Sequence, residues 1–187
     1  MHQMWELTKP RPVKLIIGML AADRNCMHAA LEAVIDKFGR DDFTSHIWPF
    51  AETDYYKDQT GPAIFRQFVC FERLIHPGKL ARIKHQTNKI EKKLARTLGI
   101  PLPRPVNLDP GIIGPAKLVL ATTKNYSHRI YIGKKMYAEV TLVFRDGRWQ
   151  AFDYTYPDYR QPHYHEFFER ARKRLLEQLR SQRRFAR

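Results

Sequence analysis

The strongest constraint on the fold is one short apolar run, Val13–Leu20 (Val-Lys-Leu-Ile-Ile-Gly-Met-Leu). A run of this length suits a strand buried in a core and is far too short to cross a bilayer. The rest of the chain must therefore supply a sheet and helices to cover it. Asp23 or Asn25 can cap a helix whose apolar positions Met27, Ala30, Leu31, Val34 and Phe38 have helical spacing, with Gly39 as its stop. Phe43–Phe50 and Ile64–Ile75 are strand-like, separated by the polar, Tyr-rich loop Ala51–Pro62. Pro77-Gly78 opens a second helix with the stripe Leu80, Ile83, Thr87, Ile90, Leu94 and Leu98, closed by Gly99 and Pro101. This β-α-β-β-α order followed by a strand predicts an α+β protein with a ferredoxin-like split βαβ core and a mainly antiparallel sheet.

The second half extends that sheet. Lys117–Thr122, Arg129–Ile132, Met136–Phe144 and Trp149–Tyr154 form a β-meander in this reading, with turns at Gly133-Lys134 and at Arg145-Asp146-Gly147-Arg148, where Asp-Gly favours a type I′ hairpin. Met136, Ala138, Val140, Leu142 and Phe144 alternate as one buried face. A C-terminal helix from about Pro162 carries the stripe Tyr164, Phe168, Ala171, Leu175 and Leu179. One domain over residues 1–187 is expected, with 1–12 an extended lead-in and 180–187 a basic, fraying tail.

Composition agrees with a self-supporting core, at 43% apolar and 12% aromatic residues. Cys26 and Cys70 belong to no metal or disulfide pattern, so they read as free buried thiols in a reducing compartment. With no secretory leader pattern, the expected location is cytoplasmic, away from membranes. The net charge of +14 points to polyanionic partners, although much of it falls on Arg170, Arg172, Lys173, Arg174, Arg180, Arg183, Arg184 and Arg187.

Three polar clusters interrupt the strand-like sequence: Ser45-His46 with Glu52, Thr53, Tyr55 and Tyr56; Arg104-Pro-Val-Asn107-Leu-Asp109-Pro-Gly111; and Thr122–Tyr131 with Tyr154–Tyr159. Asp-Pro-Gly is first of all turn chemistry. His46 reads more readily as a core or interface histidine than as a base, and Lys84, Asn88 and Glu91 as a solvated helix face. A carboxylate, an imidazole, an arginine and a lysine arriving at strand ends are nonetheless the parts of an anion-binding or acid–base site.

These residues also resemble a known family. Thr53-x-Tyr55-Tyr56, Val106-Asn-Leu-Asp109-Pro-Gly111, Leu120-Ala-Thr122-x-Lys124, His128-Arg129-Ile-Tyr131, Tyr137-Ala-Glu139-Val and Thr155-Tyr-Pro-Asp158-Tyr159 together resemble the bacterial family catalogued as domain of unknown function 4416. The resemblance runs through nearly the whole chain and implies no particular reaction or cofactor. Motifs that would name one are absent: no phosphate-binding Gly-x-x-x-x-Gly-Lys-Ser/Thr, no Gly-x-Gly-x-x-Gly, no Gly-x-Ser-x-Gly elbow and no His-Glu-x-x-His. No metal site is expected.

The leading expectation is a site for an anionic, phosphate-bearing small molecule such as a nucleotide. Lys124 and Arg129 would bind the anion, with His128 as general acid or base and Asp109 and Asp158 orienting it. Asn107, Tyr131, Tyr156, His46 and Tyr56 would complete the ligand contacts. The rivals are a nucleic-acid-binding protein using the basic C-terminal helix and exposed aromatics, and a non-catalytic interaction subunit.

Overall fold

The computed structural model describes residues 7–50, residue 60 and residues 64–185; for 183–185 only the backbone path is described. Among these residues the chain is an α+β protein with three α-helices and one nine-stranded antiparallel sheet. In chain order the elements are β1 (Val13–Ala21), α1 (Arg24–Phe38), β2 (Asp41–Thr44), β3 (Trp48–Phe50), β4 (Ile64–Ile75), α2 (Leu80–Thr97), β5 (Val106–Ile113), β6 (Lys117–Thr122), β7 (Ile130–Tyr131), β8 (Tyr137–Arg145), β9 (Arg148–Ala151) and α3 (Pro162–Phe185). The sheet order is β2-β4-β1-β5-β6-β8-β7, with β3 beside β4 and β9 beside β8.

Strand β1 is buried along its whole length and pairs with β4 on one edge and β5 on the other. Its side chains alternate between two cores, as the pleat requires. Leu15, Ile17, Met19 and Ala21 join Val69 and Phe71 of β4 and Val106 and Leu108 of β5 beneath α1 and α2. Ile16 joins Phe68 and Cys70 on the opposite face beneath α3, which contributes Tyr164, Phe167, Phe168 and Ala171. Phe68 is the hub of that second core, meeting the rings of Trp48, Tyr159, Tyr164, Phe167 and Phe168.

Local chemistry explains the helix ends. Asp23 Oδ1 accepts from the Cys26 N–H at 2.7 Å, satisfying one of the unpaired amides of the first turn of α1, and Gly39 at φ 94° ends the helix. A short turn at Pro77–Lys79 leads into α2. The α3 helix runs to Phe185, past the end of its apolar stripe. Lys14 is buried beneath it, ion-paired to Asp42 and donating to the carbonyl of Glu72 and to Gln178 of α3.

Four sequence expectations are corrected. Residues 107–111 are not a turn but the body of β5, paired with β1 from Val106↔Ala21 to Ile113↔Lys14. Phe43–Phe50 is broken into β2 and β3, both on β4. The Trp149–Tyr154 strand stops at Ala151. The meander is not three strands side by side: β6 takes one edge of β8, and β7 and β9 share the other, at Tyr137–Ala138 and Leu142–Arg145 respectively. The Asp146-Gly147 hairpin forms as expected, with both residues at positive φ.

Pro110 decides where the sheet divides. Along a strand, alternate residues direct their N–H and C=O to the same neighbour, so Ile112, Pro110 and Leu108 all address the β6 side. Pro110 has no N–H to give. The β5–β6 ladder accordingly ends at Gly111↔Leu120, whereas Ala121 and Thr122 continue only with Ala138 and Tyr137 of β8. Beyond that point β5 and β6 part. A Cβ built on Gly111 would lie 2.6 Å from Leu120 Cδ2 and 3.0 Å from the Val119 carbonyl oxygen, so the last paired rung needs glycine for space. Gly111→Ala is expected to destabilise the protein by roughly 1–3 kcal/mol through this overpacking, read as a lower urea midpoint with an unchanged m-value.

Candidate functional site

The parting of β5 from β6 leaves the N–H and C=O of Leu108 without a strand partner, and α2 supplies one. Glu91 Oε1 accepts from the Leu108 N–H at 2.8 Å, and Lys84 Nζ donates to the Leu108 carbonyl at 2.7 Å. Two helix side chains, seven residues and two turns apart, thus occupy the place of β6. Both are buried, at 4% exposure for Lys84 and 7% for Glu91. The solvated helix face expected around Lys84, Asn88 and Glu91 is corrected accordingly.

Between the parted strands lies a cleft of about 1190 Å³, walled by β4, α2, β5, the segment 122–129, β8 and the segment 156–159. Asn107 and Asp109 alternate with Val106 and Leu108, whose side chains fill the α1/α2 core, so they face the other way, into the cleft. Four ion pairs line it. Lys84 Nζ stands 3.3 Å from Asp109 Oδ1, and Asp109 Oδ2 accepts from Asn107 Nδ2 at 2.6 Å. Arg104 donates from Nε and Nη2 to Glu91 Oε2 at 2.9 and 2.6 Å. Arg129 Nε donates to Glu139 Oε2 at 2.7 Å, and Arg66 Nη2 to Asp158 Oδ2 at 2.7 Å.

The two cleft aspartates are driven apart electrostatically. Burial pushes the Asp109 carboxyl up, but Lys84, Arg66 and Arg104 outweigh it and hold it below the ordinary carboxylate range. Burial dominates at Asp158, whose carboxyl is raised despite Arg66, with Asp109 adding repulsion. Burial likewise raises Glu91 against the opposing pull of Lys84 and Arg104. Such divergence is what an acid–base or anion site requires, and a structural ion-pair network also produces it.

Arg66 differs from the other three cations. It is 3% exposed, packed against the rings of Phe50, Phe68 and Tyr159, and its Nε and Nη1 have no hydrogen-bond partner. The hydroxyl of Tyr159, also 3% exposed, is unpartnered too. Both side chains line the cleft, and they approach one another over Gly18. A Cβ there would lie 3.1 Å from Arg66 Nη1 and 3.2 Å from Tyr159 Oη. Buried unpaired polar atoms are costly, and these belong to two residues of the cleft wall.

Of the residues singled out in the sequence, Asn107, Asp109, Lys124, Arg129, Tyr156 and Asp158 come together on the walls of this cleft. Asp109 and Lys124 reach the same end because 107–111 is itself a strand, antiparallel to β6. His128 is not on the cleft wall. Its Nε2 lies 3.2 Å from Glu139 Oε2, and because a carboxylate only accepts, that nitrogen carries the proton. The imidazole stacks on Tyr154 with centroids 4.3 Å apart. Tyr131 stands exposed on β7 against Tyr137, and His46 is exposed between β2 and β3, both off the cleft wall. Tyr56, with Tyr55, lies outside the described residues.

Sequence reasoning missed Arg66, gave no site role to Arg104, Glu139 or Tyr159, and misplaced Lys84 and Glu91. The available signal was a charge inside an otherwise apolar strand: Arg66 within β4, and Glu139 followed by Thr141 within β8, all buried. Among the described residues no cluster of three or more His, Cys, Asp or Glu side chains could hold a metal ion, and no helix is long and apolar enough to cross a membrane.

The fold and cleft define an antiparallel α+β protein with a buried, charge-paired cavity at a break in its sheet. The chain belongs to the DUF4416 family, a domain of unknown function whose model matches residues 11–175 and so spans both cores and the cleft. A search of curated proteins found no match.

Glu91 provides a direct check on the substituted edge. Removing it in Glu91→Ala strands the Leu108 N–H and releases Arg104, at an expected cost of about 3 kcal/mol in urea unfolding. The raised carboxyl has a pH signature. From the ordinary glutamate value of 4.5 up to the raised folded one, the folded chain binds more protons at this site than the unfolded chain, so this site's contribution to stability falls as pH rises through that window. Urea titrations of Glu91→Gln across that range should show this part of the slope removed.

Proposed function

We propose that the cleft binds an anionic small molecule, a phosphate-bearing compound of nucleotide size, with the anionic group seated between Arg66 and Tyr159. The observation that carries this reading is the set of buried, unpartnered polar atoms there, Arg66 Nε, Arg66 Nη1 and Tyr159 Oη, all on the wall of one cleft. Phosphate oxygens offer the acceptors those atoms lack. Lys124 and Arg129 stand on the same wall, and Lys89 and Lys92 of α2 add positive charge at the rim. Asp109 and Asp158 supply two carboxyls of opposite shift beside the ligand, the first held below and the second raised above the ordinary range. His128 acts through Glu139 rather than by touching the ligand.

In this reading the chain is a single cytoplasmic domain. The order β2-β4-β1-β5, with α1 and α2 on one face, supports a ferredoxin-like split βαβ core extended by β6–β9. The two cysteines, buried in opposite cores and with their thiols pushed up to about 11 and 12 by burial, suit a reducing compartment.

Nucleic acid fits less well, because the cations of α3 from Arg170 to Arg174 are engaged at home. Arg170 lies over the Phe43 ring at 3.9 Å, and Arg172 lies over Phe144 at 3.6 Å and donates to the Pro115 carbonyl. Arg174 pairs with Asp42 and Glu177, and Lys173 with Glu169.

The test is a thermal-shift and calorimetric screen of phosphorylated metabolites and nucleotides. A ligand bound only by the folded state must raise the melting temperature. Tyr159→Phe deletes an unpartnered hydroxyl and keeps the packing. It should leave the unliganded melting temperature within a degree or so, while weakening the ligand about tenfold. Affinity should also rise as pH falls toward the raised Asp158 value, because protonation there removes a negative charge beside the anion, and Asp158→Asn should flatten that dependence. No binding by any phosphorylated compound, or equal affinity in Tyr159→Phe, would overturn the reading.

A further inference from the structure

The cleft has more room than an anion fills. Its roughly 1190 Å³ is many times the ~30 Å³ that one water occupies in the liquid, so a phosphate seated at Arg66 leaves most of the volume to the rest of the ligand. The lining also changes character from floor to mouth. On the floor the unsatisfied atoms are the Arg66 nitrogens and the Tyr159 hydroxyl, which call for acceptors. At the mouth stand two half-exposed aromatic rings, Tyr126 at 52% and Tyr156 at 45% exposure.

These rings belong to a wider pattern. Five large hydrophobic side chains are exposed among the described residues, and four of them, Tyr126, Ile130, Tyr131 and Tyr156, lie on this one flank of the sheet. Of the four, only Tyr126 and Tyr156 line the cleft. The Arg129 guanidinium, fixed by Glu139, lies 4.7 Å from the centroid of the Tyr126 ring, and Tyr156 is close enough to raise the pKa of that guanidinium. A single anchored arginine thus backs the Tyr126 ring and neighbours Tyr156, which spares a ligand part of the cost of ordering them.

We infer that the ligand is a phosphate joined to a flat aromatic or heteroaromatic ring, bound phosphate-inward at Arg66 and Tyr159, with its ring stacked at the mouth on Tyr126 and Tyr156. Stacking on a tyrosine suits any planar π-system, and the adjacent guanidinium adds a cation to the stack. The inference rests on the proposed anion site and adds to it the second half of the ligand and its direction.

Isothermal titration of the full-length protein separates the two claims. The probes are AMP, UMP and flavin mononucleotide, which carry a ring, against ribose 5-phosphate, which does not. At least one ring-bearing probe should bind about fivefold or more tighter than ribose 5-phosphate, the smallest gain expected of one stacked base. Tyr126→Leu should erase that advantage and leave ribose 5-phosphate binding unchanged, and Tyr126→Phe should keep it. Thermal unfolding of each variant checks that the half-exposed site still folds. Equal binding of all four probes to the wild-type protein, or an advantage that survives Tyr126→Leu, overturns the ring assignment while the anion site stands. Ring-bearing probes whose own affinity is unchanged in Tyr159→Phe but weakened in Tyr126→Leu overturn the phosphate-inward direction. Failure of all four probes to bind removes both claims together.

Discussion

Leu108 carries the two main-chain groups on which the organisation of this molecule turns. An interior strand whose neighbour departs leaves an N–H and a C=O facing a space that water would ordinarily fill, and a buried unpaired amide costs as much as a lost hydrogen bond. Here the helix above reaches down with a carboxylate and an ammonium and closes both groups. The solution brings charge into the interior, and charge must be balanced. Arg104 answers Glu91, Asp109 answers Lys84, and Asn107 answers Asp109. The polar lining of the cleft develops step by step from a proline that cannot continue a ladder.

The cleft therefore shares its architecture with the fold. Its walls include strands and a helix that hold the two cores together, so Arg66, Lys84, Glu91, Asn107, Asp109 and Glu139 stand on them, while Lys124, Arg129 and Asp158 come from the connecting segments. Arg129 and Glu139 form the opposing wall in the same manner, with Thr141 donating to the second oxygen of Glu139 and Thr155 tying the following segment to the Thr141 carbonyl. Buried ion pairs of this kind contribute little net stability compared with apolar packing. Their cost is offset by the aromatic core around Phe68 and the aliphatic one beneath α1 and α2.

Much of this was legible in the residues. The apolar run at Val13–Leu20, the helical stripes and the Asp146-Gly147 turn each located an element through one dominant local signal. Asn107-Leu-Asp109-Pro-Gly111 misled because its composition is that of a turn, while its conformation is set by pairing with β1 across the chain, an interaction no local pattern contains. Lys84 and Glu91 were obscure for a related reason: on a helix they look like any polar flank, and their burial depends on a strand edge some twenty residues further on. The meander failed at pairing rather than at existence, since β6 and β7 compete for β8 and only the sheet decides which edge each receives. The polar residues around the cleft could be gathered from sequence, but Arg66 could not, because a lone arginine in an apolar strand states no destination.

The position of α3 bears on how the chain is made. Ile16 of the first strand finishes its burial only against the last helix, and Lys14 beside it finds one of its partners at Gln178. During synthesis the α1/α2 side of the sheet can close as soon as β5 has emerged, whereas the Phe68 side stays open to solvent until Tyr164–Ala171 arrive. A nascent chain paused before that point would display a half-finished aromatic surface, the kind of exposure that recruits chaperones or invites aggregation.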